Sequence, residues 1–338
     1  MPHHRQYVAV VRDFMKTEII HSYFPRDGYF IDSALLLTES KIAIFTSKYK
    51  APSYLDVIDL DNSNCSIDLS KILNFDTSNY YKCYFNLGDK FGIIHRAEKL
   101  LLFDNNDFNS FEILEIQNPF KPDKHDRKTN AELASSSLIE NNLLFGLADY
   151  AHYGFPPRYL CQLEKSKSKK LFGLRKEEIQ YKWCSLFELP KHHFPETEFN
   201  KFGGDNDWLN IRAISQNEDS IFIHSTGGSN TRLKSGNPFE FNIIARFDKQ
   251  YKWIENFQIE KGIGRFSTDK EYFILNPHEK KNKLHFYSTK DFEIKFEISL
   301  TAKQNIGQEK ATQIKADKIN KRVLVYNHRF LNICRLID

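Results

Sequence analysis

Five of the twelve histidines, His95, His152, His224, His278 and His328, each follow a short apolar run, and cations gather beside them. His95 is joined by Arg96, and His328 by Arg329. His152 stands with Asp149 and Tyr150 and is followed by Arg158. His224 precedes Arg232 and Lys234, and His278 precedes Lys280, Lys281 and Lys283. A sixth run ends in Lys48, Tyr49 and Lys50, without a histidine. Guanidinium and ammonium groups on one surface suit a carboxylate or phosphate, Arg as a planar fork and Lys as a point charge. Converging imidazoles could instead hold a divalent metal, with His95, His224, His278 and His328 as the candidates. With an ordinary pKa of about 6.5 they could also serve as acid–base groups. The plainer alternative is that these histidines cap strand ends or pack at a wet rim.

Other chemistry-bearing stretches are incomplete. His192 and His193 are adjacent, and neighbours in an extended chain point to opposite sides. Gly203-Gly204-Asp205-Asn206-Asp207 offers oxygen ligands but lacks the closing Glu of a calcium loop. Gly227-Gly228-Ser229-Asn230-Thr231 is not a phosphate-binding loop, because no GxxxxGK[ST] is present. The basic run from Lys165 to Glu178 is offset by Glu177 and Glu178 and reads as a solvated hairpin tip. No GxSxG or HExxH occurs, so no catalytic residue is assigned and a binding role is favoured over an enzymatic one.

The elements that must position the histidines are short strands. The runs Ile42–Phe45, Phe91–Ile94, Leu143–Gly146, Ile221–Ile223, Tyr272–Leu275 and Val323–Tyr326 start 49, 52, 78, 51 and 51 residues apart. Polar turns precede them: Thr38-Glu39-Ser40-Lys41, Leu87-Gly88-Asp89-Lys90, Glu140-Asn141-Asn142, Gln216-Asn217-Glu218-Asp219, Thr268-Asp269-Lys270 and Ala316-Asp317-Lys318. These residue types close hairpins. A second hairpin follows in most units, as where Asp248-Lys249-Gln250 joins 242–247 to 251–259. The unit is four strands in about 50 residues, a period read as propeller blades.

On this strand grammar the chain resembles six-bladed β-propellers over nearly its whole length, without a WD or kelch signature. The expected fold is all-β, a single domain over 1–338, with blades near 34–69, 84–116, 135–189, 211–259, 264–300 and 312–337. The last unit lacks an outer strand, and an N-terminal strand within 7–23, at Thr17–Tyr23 or Tyr7–Val11, is expected to supply it and close the ring. Seven blades, with 7–23 starting a blade of its own, is the alternative. Helix is scarce; Thr129–Leu133 could form a turn. Long loops are expected at Pro190 to Asn210 and at Ser225 to Glu240. In a propeller, loops after each second strand share one face, which would gather the His/Arg/Lys set there.

Composition agrees. A hydrophobic fraction of 41% and 29 Phe can supply a core, and a net charge of +4 is too mild to argue for nucleic acid or a membrane surface. No stretch of about 18 apolar residues is present, and no signal core of about 7–15 apolar residues follows Met1. Five cysteines without a CxxC read as reduced, buried thiols. The expectation is a cytoplasmic, non-enzymatic scaffold without a cofactor. It would recognise an acidic protein surface or an anionic small ligand through His95, Arg96, His152, Arg158, His224, Arg232, Lys234, His278, Lys281, His328 and Arg329. A toxin-neutralising or assembly role fits that surface. The competing expectation is a hydrolase or lyase with a His-lined, metal-dependent site at the channel mouth.

Overall fold

A computed structural model describes residues 13–48, 51–73, 82–86, 90–95, 99–117, 132–139, 142–148, 158–167, 179–188, 207–229, 239–267, 270–279, 282–300, 313–317 and 322–337. After β1 (Asp13–Tyr23) the chain runs as successive antiparallel meanders. The first is β2 (Phe30–Leu36), β3 (Lys41–Ser47), β4 (Tyr54–Asp59) and β5 (Cys65–Asp68), followed by the short helix α1 (Leu69–Leu73). The second is β6 (Lys82–Asn86), β7 (Lys90–His95), β8 (Lys99–Asp104) and β9 (Phe111–Gln117). The third is β10 (Glu132–Ile139), β11 (Asn142–Ala148), β12 (Arg158–Lys167) and β13 (Ile179–Glu188). The fourth is β14 (Asp207–Gln216), β15 (Ser220–Ser229), β16 (Phe239–Asp248) and β17 (Trp253–Gln258). The fifth is β18 (Gly262–Phe266), β19 (Tyr272–Pro277), β20 (Lys283–Ser288) and β21 (Ile294–Ser299). The last is β22 (Gln313–Asp317), β23 (Arg322–Tyr326) and β24 (Leu331–Ile337).

Each meander begins on an inner strand, and the inner strands touch in rotation: β2 with β6, β6 with β10, β10 with β14, β14 with β18, β18 with β22, and β22 with β2. The chain is a β-propeller. β1 adds a fourth strand to the C-terminal meander, antiparallel to β24 from Lys16↔Ile337 to Tyr23↔Leu331 with a shift after Ile19. It also pairs in parallel with β21, Asp13 opposite Phe296. β13 and β9 meet in the same parallel way. The expected strand at Thr17–Tyr23 is therefore part of β1, and Tyr7–Val11 lies outside the described residues.

The strands read as continuous apolar runs because both faces are covered. Successive side chains of one strand pack against opposite neighbours. On β3, Ala43 and Phe45 join Leu55, Val57, Phe91, Ile93, Leu101 and Phe103 of the first two meanders. Ile42 and Ile44 turn the other way, to Ile31, Leu324, Tyr326, Leu331 and Ile333. Phe222 and Ile244 meet Phe273, Leu275, Tyr287 and Phe292 between β14–β17 and β18–β21. Each wholly buried Phe or Leu contributes about 1.5–3 kcal/mol relative to exposure. Tyr326 keeps its polar end satisfied, its hydroxyl accepting a hydrogen bond from the backbone N–H of Ala34 at 3.3 Å.

Three local expectations are corrected. Ser225–Ser229 do not open a loop; they continue β15, paired with β14 on one side and β16 on the other. Glu132 and Leu133 are the start of β10, not part of a turn. Cys334 is buried as a free thiol, whereas free Cys65 is exposed. No helix among the described residues is long and apolar enough to cross a membrane.

Candidate binding face

Antiparallel alternation puts the start of every inner strand, the turn after every second strand and the link after every fourth strand on one face, here the entry face. Two hydrogen-bond sets tie these parts together. The backbone N–H of His278, just past β19, donates to the carbonyl of Lys261 before β18 at 2.9 Å. His328, between β23 and β24, accepts at its carbonyl from the N–H of Ile31 at 2.8 Å. The His328 Nδ1 is 3.1 Å from the carbonyl of Ile31.

The sequence-selected residues fare differently. His278, His328 and Arg329 are exposed on this face. The turn holding the last two is braced by Asn327, whose side-chain oxygen accepts from the N–H groups of Arg329 at 2.7 Å and Phe330 at 3.1 Å. His95 ends β7 and Arg158 opens β12, both at the entry-face end of their strands. Arg96, His152, Arg232, Lys234 and Lys281 lie outside the described residues. His224 sits within β15, 1% exposed, its ring edge-on to Phe273 at 4.9 Å. The strand continues past it because backbone partners on both sides outweigh the polar, glycine-rich sequence. Among the described residues no three His, Cys, Asp or Glu side chains are arranged to hold a metal ion.

His224 belongs to a polar chain across the β14–β17/β18–β21 junction. Its Nε2 lies 2.6 Å from the Asn242 side-chain oxygen, and the Asn242 amide donates to the carbonyl of Glu260 at 2.6 Å. That places the ring proton on Nε2 and leaves Nδ1 without a hydrogen-bond partner among the described residues. Burial pushes the His224 pKa down to about 3, with Arg265 and Arg212 adding to it against the Asn242 hydrogen bond. His285, wholly buried on β20, lies with Nδ1 3.6 Å from Glu260 and Nε2 3.6 Å from Glu297. Lys283 closes the chain, its Nζ 2.9 Å from Glu297 Oε2. His285 was not selected from sequence because Leu284-His285-Phe286 reads as ordinary alternation. Glu297, a lone carboxylate between Phe296 and Ile298, was the available signal.

A second cluster stands where β1 passes to β2. Asp56 on β4, 7% exposed, accepts from the Tyr23 hydroxyl at 2.6 Å and from both Arg26 Nη atoms at 2.8 and 3.1 Å. Arg26 also donates to the Ser66 hydroxyl and sits over the Tyr54 ring, its Cζ 4.0 Å from the centroid. Desolvation, and then the Asp56 carboxylate, hold the Tyr23 hydroxyl well above the ordinary tyrosine pKa. Tyr29 meets Tyr54 edge-on at 5.5 Å, and the Lys48 ammonium sits 5.8 Å from the Tyr29 ring. Gly28 at φ +74° brings the backbone against Lys48, where a Cβ would lie 2.9 Å from Nζ. Here, too, a carboxylate inside an apolar strand, Leu55-Asp56-Val57, was the sequence signal.

No protein-family model matches the chain, and the search of curated proteins gave no match. Among solved structures it is similar to the WD40 domain of Neurospora crassa Pan2, at 8% identity and a TM-score of 0.43, over 90% of this chain and 74% of that one. It is similar to the β-propeller domain of Cps50 (Swd1) from Myceliophteria thermophila, at 11% identity and a TM-score of 0.48, over 95% and 100% of the two chains. It is also similar to BamB from Moraxella catarrhalis, at 10% identity and a TM-score of 0.37, over 88% and 82%. Likenesses this distant carry nothing about ligands, and the fold rests on the strand pairing described above.

Proposed function

We propose that the protein is a non-enzymatic binding scaffold that recognises an acidic protein surface through its entry face. The observation carrying this reading is the charge distribution. The stretches around the turns from second to third strand, 46–53, 95–99, 147–158, 224–240, 276–283 and 327–329, hold an excess of seven positive charges in a chain whose total is +4, and two of these cations, Lys99 and Lys283, pair with Glu115 and Glu297 on the next strand. Exposed His278, His328 and Arg329 support it from the described residues, and one-signed charge on a shared face focuses its field on ligands of the opposite sign. His224, buried and neutral, drops out of the binding set.

The scaffold in this reading is a closed ring of six four-stranded blades. Support comes from the rotation of inner-strand contacts and from β1 completing the C-terminal blade. A cytoplasmic location goes with the odd number of cysteines and the absence of a CxxC. The test is affinity capture from the native cell with the chain and its Arg96→Glu, Lys281→Glu, Arg329→Glu variant, across a salt series. Loss of the captured protein in the variant, and weaker capture as salt shortens the screening length from about 10 Å at 0.1 M to about 3 Å at 1 M, is expected. Unchanged capture in both would overturn the reading.

A further inference from the structure

His285 stands between two carboxylates. It is wholly buried on β20, and the antiparallel register sets it directly opposite Glu297 of β21, itself 2% exposed. Side chains opposed in this way have Cβ atoms about 4.5–5.5 Å apart, so register alone brings them together. Lys283 lies two residues earlier, on the same face of β20. The two cations divide the Glu297 carboxylate: Oε2 is 2.9 Å from Lys283 Nζ, and Oε1 is 3.6 Å from His285 Nε2. The other ring nitrogen, Nδ1, lies 3.6 Å from Oε1 of Glu260, on the link from β17 to β18.

A neutral imidazole carries one N–H and one lone pair. Here both ring nitrogens face carboxylate oxygens, so a neutral ring would turn its lone pair on one of them, whereas an imidazolium turns an N–H to each. Charge points the same way. With the ring protonated, Lys283 and His285 balance Glu260 and Glu297. With it neutral, one negative charge is left over beside a buried carboxylate, and buried charge is costly unless paired. Burial opposes the charged ring, and two opposite charges at ion-pair distance act against that opposition. The other groups around the ring carry no charge of their own: Leu275 is opposite it on β19, the Tyr287 ring is 6.4 Å away on β20, and His224 connects to the site only through Asn242 and the Glu260 carbonyl. The backbone of the link is bonded to both meanders, the Ile259 N–H to the Asn242 carbonyl at 3.0 Å and the Lys261 carbonyl to the His278 N–H at 2.9 Å. We propose that His285, as an imidazolium, is a proton-controlled latch that ties the Glu260 link to the β18–β21 meander, closed at neutral pH and released as the ring loses its proton in mild base. The latch does not depend on the entry-face reading.

The test is imidazole NMR on the full chain labelled with nitrogen-15 histidine, the His285 ring being the signal missing from His285→Gln. An unperturbed histidine is about 10% protonated at pH 7.5. The His285 ring should be at least half protonated there, with hydrogen on both nitrogens, and Glu260→Gln should lower that fraction severalfold. Stability gives a second readout. A proton held more tightly by the folded chain stabilises it fully below pH 6.5, and the gain is lost as pH rises. Between pH 6 and 8 the Tm of the wild type should therefore fall by about 2 °C relative to His285→Gln, a change that a merely structural side chain does not produce. A neutral ring with a single N–H at pH 7.5 overturns the proposal, and so does a protonated fraction that Glu260→Gln leaves unchanged. Should His285→Gln fail to fold, the ring is identified by its through-space contact with Tyr287, and Glu260→Gln, at a side chain 44% exposed, decides.

Discussion

The junction between β14–β17 and β18–β21 should weaken in mild acid, and His224 sets the size of the effect. Its pKa is about 3 in the folded chain and about 6.5 when unfolded. A depressed folded-state pKa means that the unfolded chain binds the extra proton. The contribution is therefore intact above pH 6.5 and is lost progressively as pH falls toward 3. At pH 5 the unfolded ensemble has gained about 1.5 pH units of protonation, which costs about 2 kcal/mol. With an unfolding entropy of about 2.1 cal/mol/K per residue, that is a drop in Tm of about 3 °C. The assay is thermal unfolding of the chain and of His224→Gln from pH 7.5 to 5. Glutamine keeps a donor for the Asn242 oxygen but does not titrate. The two melting curves should diverge by about 3 °C at pH 5, after subtraction of their difference at pH 7.5. Parallel pH profiles would refute the assignment of a buried neutral imidazole here.

Three other outcomes follow from the same contacts. Asp56→Ala removes the acceptor for Arg26 and Tyr23 and should cost about 2 kcal/mol, between the values for exposed and for fully buried pairs because Arg26 is partly exposed, read as the shift in denaturant midpoint. Gly264→Ala places a Cβ 2.1 Å from the Phe273 ring and should destabilise by about 2 kcal/mol or more, against a change below about 0.5 kcal/mol for an exposed control such as Lys290→Ala. Zinc or manganese added to the chain purified without a histidine tag should leave Tm unchanged, since among the described residues no three His, Cys, Asp or Glu side chains are arranged to hold a metal ion. A rise in Tm with metal would restore the metal-centred alternative.

The turns and inner strands were legible because their chemistry is local. Thr38-Glu39-Ser40-Lys41 closes as expected, the Thr38 hydroxyl accepting from Lys41 at 3.1 Å and the Leu37 N–H donating to the Lys41 carbonyl at 2.9 Å. The polar turn Asp248-Lys249-Gln250 likewise joins β16 to β17. Strand ends were less legible where non-local pairing decides them. Ile221-Phe222-Ile223 looks complete by itself, yet neighbours on both sides draw β15 on to Ser229 and carry His224 from an expected rim into the core. The parallel contacts of β1 with β21 and of β9 with β13 have no signature in sequence, because two backbone edges make them. The His285–Glu297–Lys283 chain was hidden for a related reason: Lys283 and His285 share β20, but Glu297 lies on β21, and only the strand pairing brings it to them.

The binding role is tested most directly by two variants with the same change in net charge on opposite faces. Lys48→Glu with Arg329→Glu alters the entry face. Lys252→Glu with Lys290→Glu alters the exposed turns between third and fourth strands on the other side. Captured from native-cell extract and quantified by mass spectrometry, the bound protein should fall sharply with the first pair and be retained with the second. Equal retention by both, or loss with the second pair alone, would contradict an entry-face binding site.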